Sequence, residues 1–519
     1  MEIQAKRTFT AGLALFLLVA GMCAQANQFR LVAAPPDCSY GCNMGAPGLI
    51  AQGFDGALYT TMPVQVSFGG NGTVVAFPPS IPATLTVPGK VNNGVLVYPP
   101  LVHQLAASGA EGKTPVSGLT LGTDGSFYGT TINGGAGFGI IFRLTFPNPA
   151  TAATTNATAS FTPLYQFLNS SDGAFPHAPP VQGPDGNLYG VTYNGTAAGT
   201  IYRISPNGTG FGVIAAVGFS IEAPLTVGED GNLYGVSADG GTSGYGMIFE
   251  LNLAGQLVPL YSFQGQSDGG HPHGRLLWAR DGMLYGTTQM GGAASQGVIF
   301  RQNPHVVNAY SVVHPLAGAE GSNPTAGLVQ GTDVNGTLYG VAAAGGANNV
   351  GTLFAVNPAG TAFSTLFTFN NATGVNPFST LVLDTNGVLY GAAHSGGALA
   401  SGAEGLEFSF NVNMPPFASV VGSTRAFPAT AAFGVIGQGF THVAGVTVGL
   451  GAANFSVVSD NYMVVYAPGG CSGPVVINEP GVSLTTPQVV SVGNATISKY
   501  QVCSPLRSLP SLPLRPLQH

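Results

Sequence analysis

Few residues in this chain could do chemistry, and those that could recur at fixed places. An acid stands shortly before a proline in five successive segments: Glu111 before Pro115, Asp172 before Pro176, Glu222 before Pro224, Asp268 before Pro272 and Glu320 before Pro324. Carboxylates gathered on one face can hold a cation such as calcium, or accept the hydroxyls of a sugar. The competing reading is local, because a short acid in a loop commonly caps the backbone of its own turn. For a position repeated this regularly the local reading carries more weight. Three histidines share these segments: His177 follows Pro176, and His271 and His273 flank Pro272. Imidazoles on one face can bind a transition metal, but an i, i+2 pair across a proline chelates poorly, so no metal site is assigned.

No catalytic residue is assigned either. There is no G-x-S-x-G elbow with a suitable His and acid. Asp and Glu together number 21 in 519 residues, so a glycosidase-type carboxylate pair would have to come from acids already placed in repeated turns.

The elements that must carry these residues follow from a second repeat. Asp281-Gly-Met-Leu-Tyr-Gly286 has counterparts starting at Asp55, Asp124, Asp185, Asp230, Asn335 and Asn386, seven in all. Asp-Gly or Asn-Gly between apolar runs predicts a two-residue type I′ hairpin, so these seven acids and amides are structural. The motif tyrosines, Tyr59 to Tyr390, predict packing between units with each phenol on a backbone partner. Trp278 is expected in the core. Each unit continues through a Gly-rich loop into a third strand such as Gly297-Val-Ile-Phe-Arg301 and a fourth such as Leu260-Tyr-Ser-Phe263. Four short strands per unit predict propeller blades.

The fold class is therefore all-β. Residues 27–410 are expected to form a seven-bladed β-propeller, closed by an N-terminal strand at Gln28–Ala33 that supplies the fourth strand missing from the last unit. The insertions after Pro78 and Pro147 read as surface loops. Beyond Met414-Pro-Pro416 the Leu-Tyr repeat stops, and strands at about ten-residue spacing predict a small Ig-like β-sandwich over 415–503. Residues 504–519 read as a disordered tail.

Residues 1–26 read as a signal peptide, with Lys6 and Arg7 before an apolar run and Ala24-Gln-Ala26 as the cleavage site. A secreted or bacterial cell-surface location is expected, with no transmembrane segment in the mature chain. Export makes Cys38, Cys42, Cys471 and Cys503 candidates for two disulfides, their pairing left open. A net charge of −7 without a basic stripe excludes nucleic acid as a partner.

The pattern D-G-x-L-Y-G-T-T, then G-G, G-x-I-F-R-L and L-Y-x-F resembles the tandem GloVer repeat of bacterial choice-of-anchor exported proteins, over most of residues 45–410. Val435-Ile-Gly-Gln-Gly-Phe440, Val446-Thr-Val-Gly449 and Ser472-Gly-Pro-Val475 resemble an IPT/TIG immunoglobulin-like domain. Neither resemblance brings a catalytic residue or a cofactor; both imply an extracellular binding or structural role. The expectation is a non-catalytic binding or scaffold protein with a protein or polysaccharide partner. Its rivals are a carbohydrate-active hydrolase or lyase using the Gly-rich loop face, and a spacer without a ligand. An enzyme would draw its polar groups from two or three blades only, whereas a binding ring would use many.

Overall fold

The computed structural model describes residues 28–33, 50–63, 71–77, 91–92, 95–96, 101–148, 159–194, 199–396, 406–421, 432–466 and 472–490. Six four-stranded antiparallel sheets follow one another along the chain, and a seventh sheet is built around 382–411, giving seven blades. Blade 5 is representative. Its strands run from the inner Leu277–Trp278, through Leu284–Thr288 and Val298–Gln302, to the outer Tyr310–Pro315. The inner strands are only two residues long in every blade.

The Asp-Gly turn is not type I′. Ala279 and Gly282 bond across it (Gly282 N to Ala279 O, 2.9 Å), Ala279 N reaches Met283 O at 2.9 Å, and only Gly282 has positive φ, at 78°. This is a type I turn followed by a left-handed glycine, the three-residue hairpin with a bulge. The aspartate stays in the ordinary right-handed region, which frees its carboxylate for another task. Nor do the motif phenols seek the backbone. Tyr59, Tyr128, Tyr189, Tyr234 and Tyr285 donate to Oδ2 of Asp55, Asp124, Asp185, Asp230 and Asp281 at 2.6, 2.9, 2.8, 2.6 and 2.7 Å. Oδ1 of the same acid accepts the amide two residues on, as from Met283 at 3.1 Å. One carboxylate thus satisfies both the turn and a buried phenol, and the motif repeats as a unit. In blade 6 Asp333 takes over the capping, accepting the Thr337 amide and hydroxyl. In blade 7 Asn386 donates to the Tyr390 phenol at 3.1 Å.

The glycine after each tyrosine has a packing cause. Gly129, Gly190, Gly235, Gly286, Gly340 and Gly391 pair across strands with Phe142, Tyr202, Phe249, Phe300, Phe354 and Phe408. A Cβ at any of them would collide with that ring. Blade 1 breaks both halves of the rule together: Thr60 pairs with Val75, and the smaller partner leaves space for a side chain.

Around the outer rim, rings stack from blade to blade. His103 lies on Phe161, Tyr165 on Phe211, Tyr261 on Tyr310 and His314 on Phe363, with centroids 3.5 to 4.6 Å apart. Phe367 of blade 6 continues the series onto Phe29 at 4.2 Å and 3°. Phe29 belongs to Phe29–Ala33, which pairs antiparallel with Leu406–Asn411 in the blade 7 sheet. Part of the insertion expected as a surface loop meets this strand: Val91–Asn92 and Val95–Leu96 form a hairpin, and Leu96 pairs in parallel with Ala33. The hairpin covers an edge that would otherwise be open. Blades 1 and 7 also meet at the inner strands, where Gln52 Nε2 donates to Thr385 Oγ1 at 2.8 Å. Removing the Phe29 ring should therefore be costly. Phe29→Ala is expected to destabilise the protein by ~3 kcal/mol, read as a lowered denaturant midpoint with an unchanged slope. An unaltered midpoint would show that this strand contributes little.

Residues 419–490 form one seven-stranded path that rolls on itself, from Ser419–Val420 to Val482–Val490. The long Gly451–Ser459 strand serves two halves, pairing with Gly445–Val448 at one end and Tyr462–Tyr466 at the other. Gln488 ties the ends together, donating to Ser419 Oγ at 2.8 Å and accepting from Val420 N at 3.3 Å. Phe433, Val435, Phe440, Met463, Val475 and Ile477 fill the interior. Cys38, Cys42, Cys471 and Cys503, the segment 1–26 and the tail 504–519 lie outside the described residues.

Candidate functional site

The short inner strands leave an axial channel of about 550 Å³ lined by all seven blades. At the Asp-Gly turn end, Ser419, Val420, Val421, Ile436 and Gln488 of the C-terminal sheet contribute to its lining. The C-terminal sheet is held there by Phe54 of the blade 1 turn, whose ring stacks on Tyr462 at 3.8 Å and 7° and packs with Val421 and Ile436. Gln438 Nε2 adds a 3.4 Å bond to Thr385. The turn face around blades 1 and 7 is thus covered by the C-terminal sheet. The opposite face carries the connections with the acid-before-proline pattern.

Four of those five acids bond their own turns. Asp172 accepts the Leu168 and Ser170 amides at 2.9 Å, the Ser170 hydroxyl at 2.7 Å and the Tyr165 phenol at 3.1 Å. Burial alone would raise its pKa, but the Ser170 hydroxyl and the two amides together outweigh burial and hold it below the usual carboxylate value. Asp268 repeats this with Tyr261 and the Gln264 and Gln266 amides. Glu111 accepts from Ala106 N at 2.8 Å and lies 3.0 Å from His103 Nε2. Glu320 does the same with Ala317 N and His314. In each case the acid is anchored by a polar ring on the outer strand of the preceding blade, the same ring that stacks along the rim.

Glu222 is the exception, and the cause is one residue. Where the other outer strands place His103, Tyr165, Tyr261 or His314 opposite the isoleucine or valine of the third strand, blade 3 places Ala215 opposite Ile201. Without a ring to hold it, Glu222 turns instead to the next connection, where its Oε2 lies 3.4 Å from His273 Nδ1. That hydrogen bond, with the positive potential of His273 and His177 behind it, keeps Glu222 below the usual carboxylate value against its burial. His177 stacks on Tyr193 at 4.8 Å, and burial pushes its pKa down while Glu222 works the other way. His271 is elsewhere, its Nδ1 2.7 Å from Ala238 O with φ 53°. The sequence signal for Glu222 was available: it is the acid whose blade lacks a histidine or tyrosine six to eight residues earlier. Three adjacent connections, entering blades 3, 4 and 5, therefore bring together two imidazoles and one carboxylate. Among the described residues no group of three or more His, Cys, Asp or Glu has a metal-holding arrangement.

Two charged channel residues were missed, Glu229 and Arg275. Arg275 lies at the start of the blade 5 inner strand, at a position where blades 2, 3, 4, 6 and 7 have Gly118, Pro179, Pro224, Gly327 and Thr380. A lone cation at a position that the other aligned blades fill with glycine, proline or threonine was the available sign. Trp278, expected in the core, packs beside Tyr234 and also lines the channel.

Among the described residues no helix is long and apolar enough to cross a membrane. No curated protein matches the chain. Solved structures similar to it include the nidogen/laminin complex, at 13% identity and a TM-score of 0.35, covering 59% of this chain and 91% of that one. TolB from Acinetobacter baumannii gives 13% identity and 0.34, covering 60% and 63%. XC5397 from Xanthomonas campestris, a gluconolactonase, gives 13% identity and 0.33, covering 52% and 78%. Residues 220–456 match the Gloeobacter/Verrucomicrobia repeat, so blades 4 to 7 and the start of the C-terminal sheet carry the repeat of that family.

Proposed function

We propose that this is an extracellular or cell-surface binding protein, exported by its N-terminal segment, whose ligand site is the polar sector of the connection face formed by blades 3, 4 and 5. The ligand is a protein or a polysaccharide. The observation that carries the reading is Glu222, the one acid of the series that is released from its own turn and paired across blades with His273. Coverage of the turn face by the C-terminal sheet leaves the connection face as the side open to a partner. In this reading Phe29–Ala33 serves as the clasp of the ring, and the C-terminal sheet is an IPT/TIG-type Ig-like module that holds the propeller's other end.

A second reading has a specific observation behind it. Polar groups confined to three blades are what an enzyme would show, and a carboxylate beside an imidazole can move a proton. In a carbohydrate-active hydrolase or lyase, Glu222 and His273 would be that pair.

The test is a thermal-shift screen of the full chain against a glycan panel and candidate partner proteins. A ligand at one hundred times its dissociation constant adds ~2.7 kcal/mol to stability. The shift is expected to vanish in Glu222→Gln and to persist in Glu320→Gln, whose carboxylate stays with its own turn and His314. Equal shifts in both variants would remove Glu222 from the site. Turnover of a bound glycan, lost in Glu222→Gln, would favour the enzyme.

A further inference from the structure

Arg275 is a cation without a counter-ion. Among the described residues its only hydrogen bond is from Nε to Thr226 Oγ1, at 3.4 Å, and no carboxylate pairs with it. The two Nη nitrogens have no partner, yet they are not among the sealed, unsatisfied atoms of the protein, so they retain access to the channel that Arg275 lines. Arg275 is half-buried, and burial lowers its pKa to about 10. Glu229 lines the same channel at the turn end of blade 4. Around this charge the wall is largely aliphatic, with Leu119, Val181, Val227, Leu276, Leu328 and Leu381 from six blades. Desolvating a guanidinium without a partner is costly, and a fork of free N–H donors matches a carboxylate. A volume of 550 Å³ lies within the range of small-molecule sites.

We infer that the channel binds a small organic acid, its carboxylate on the Nη atoms of Arg275 and its apolar body along the aliphatic wall. The inference rests on the channel being open at the connection face, as in the binding role above, but not on the partner that Glu222 serves.

Isothermal titration calorimetry on the full chain tests this with phenylacetate and hexanoate, their uncharged amides, glucuronate and inorganic phosphate. Carboxylates are expected to bind at least tenfold more tightly than the matching amides. Arg275→Gln should abolish that preference and Arg275→Lys should keep part of it, with circular dichroism and the melting midpoint confirming that both variants fold. Arg275→Met should melt no lower than the wild type, because it removes an unpaired buried charge. Preference for glucuronate over phenylacetate would place a saccharide acid in the site instead of an apolar one. Amides that bind as well as acids, or an Arg275→Gln protein that keeps the preference, would overturn the inference, as would the absence of any carboxylate binding. A glycan or protein hit that depends on Glu222 and is unaffected by Arg275→Gln would leave the binding role standing while this inference falls.

Discussion

Asp384→Asn should stabilise the protein at pH 8 by several kcal/mol and leave it almost unchanged at pH 4. Asp384 is fully buried, at 0% exposure, because it occupies a turn position that other blades give to Gly53, Gly122, Gly183, Gly228 or Ala279. Its Oδ2 accepts the Asn386 amide at 3.2 Å, while Oδ1 has no partner among the described residues. Burial pushes its pKa up to about 7, offset in part by the Asn386 and Thr385 amides. The folded protein therefore holds a proton that the unfolded chain, with an ordinary aspartate near 3.9, has released. Stability is greatest below the unfolded pKa, falls as pH rises from ~4 to ~7, and loses no more above that. A shift of this size corresponds to ~4 kcal/mol. Glu407, 5% exposed, is pushed well above its ordinary value by burial and acts in the same direction. Urea denaturation at pH 4, 5.5, 7 and 8 measures the effect. The gap between variant and wild type should open across this range and close at its acid end. A gap that does not depend on pH would show that Asp384 is ionised in the fold at ordinary pH.

The second large effect lies at the contact between the propeller and the C-terminal sheet. Phe54 is 3% exposed and the Phe54–Tyr462 stack is the centre of the docking cluster. Phe54→Ala should cost ~3–5 kcal/mol of docking and turn stability. Calorimetry is expected to show the C-terminal sheet melting apart from the propeller in the variant, with faster protease cleavage in the 411–417 segment. Tyr462→Ala should reproduce both changes. A single transition that moves without splitting would mean that the two domains are held together elsewhere.

Much of the propeller is written in local chemistry. The Asp-Gly turns, the Leu-Tyr strands and the Phe of the third strand each satisfy a neighbour in the same blade, so period and blade count can be read from one strand of text. The turn type was misjudged because Asp-Gly is compatible with both hairpins. What decides between them is the tyrosine four residues on, which recruits the aspartate side chain. The acids before proline follow the same logic: their partners His103, Tyr165, Tyr261 and His314 stand six to eight residues earlier, and only Ala215 puts no ring there. Glu222 could thus have been singled out from the sequence, by asking which acid lacks its ring. The contact of Phe54 with Tyr462 could not, because no spacing rule links a turn of blade 1 to a strand of another domain. Arg275 was visible as an odd residue in a column of glycine, proline and threonine, but its lack of a carboxylate partner among the described residues is a property of the closed ring alone.

The central claim is that ligands reach this protein through the connection face of blades 3 to 5, with the turn face covered by the C-terminal sheet. Hydrogen–deuterium exchange of the full chain, with and without the tightest-binding ligand from the screens, tests it most directly. The account expects protection in peptides spanning 174–182, 220–227 and 270–278, and none on the strands of the C-terminal sheet. Protection confined to the C-terminal sheet, or spread evenly over all seven blades, would contradict it.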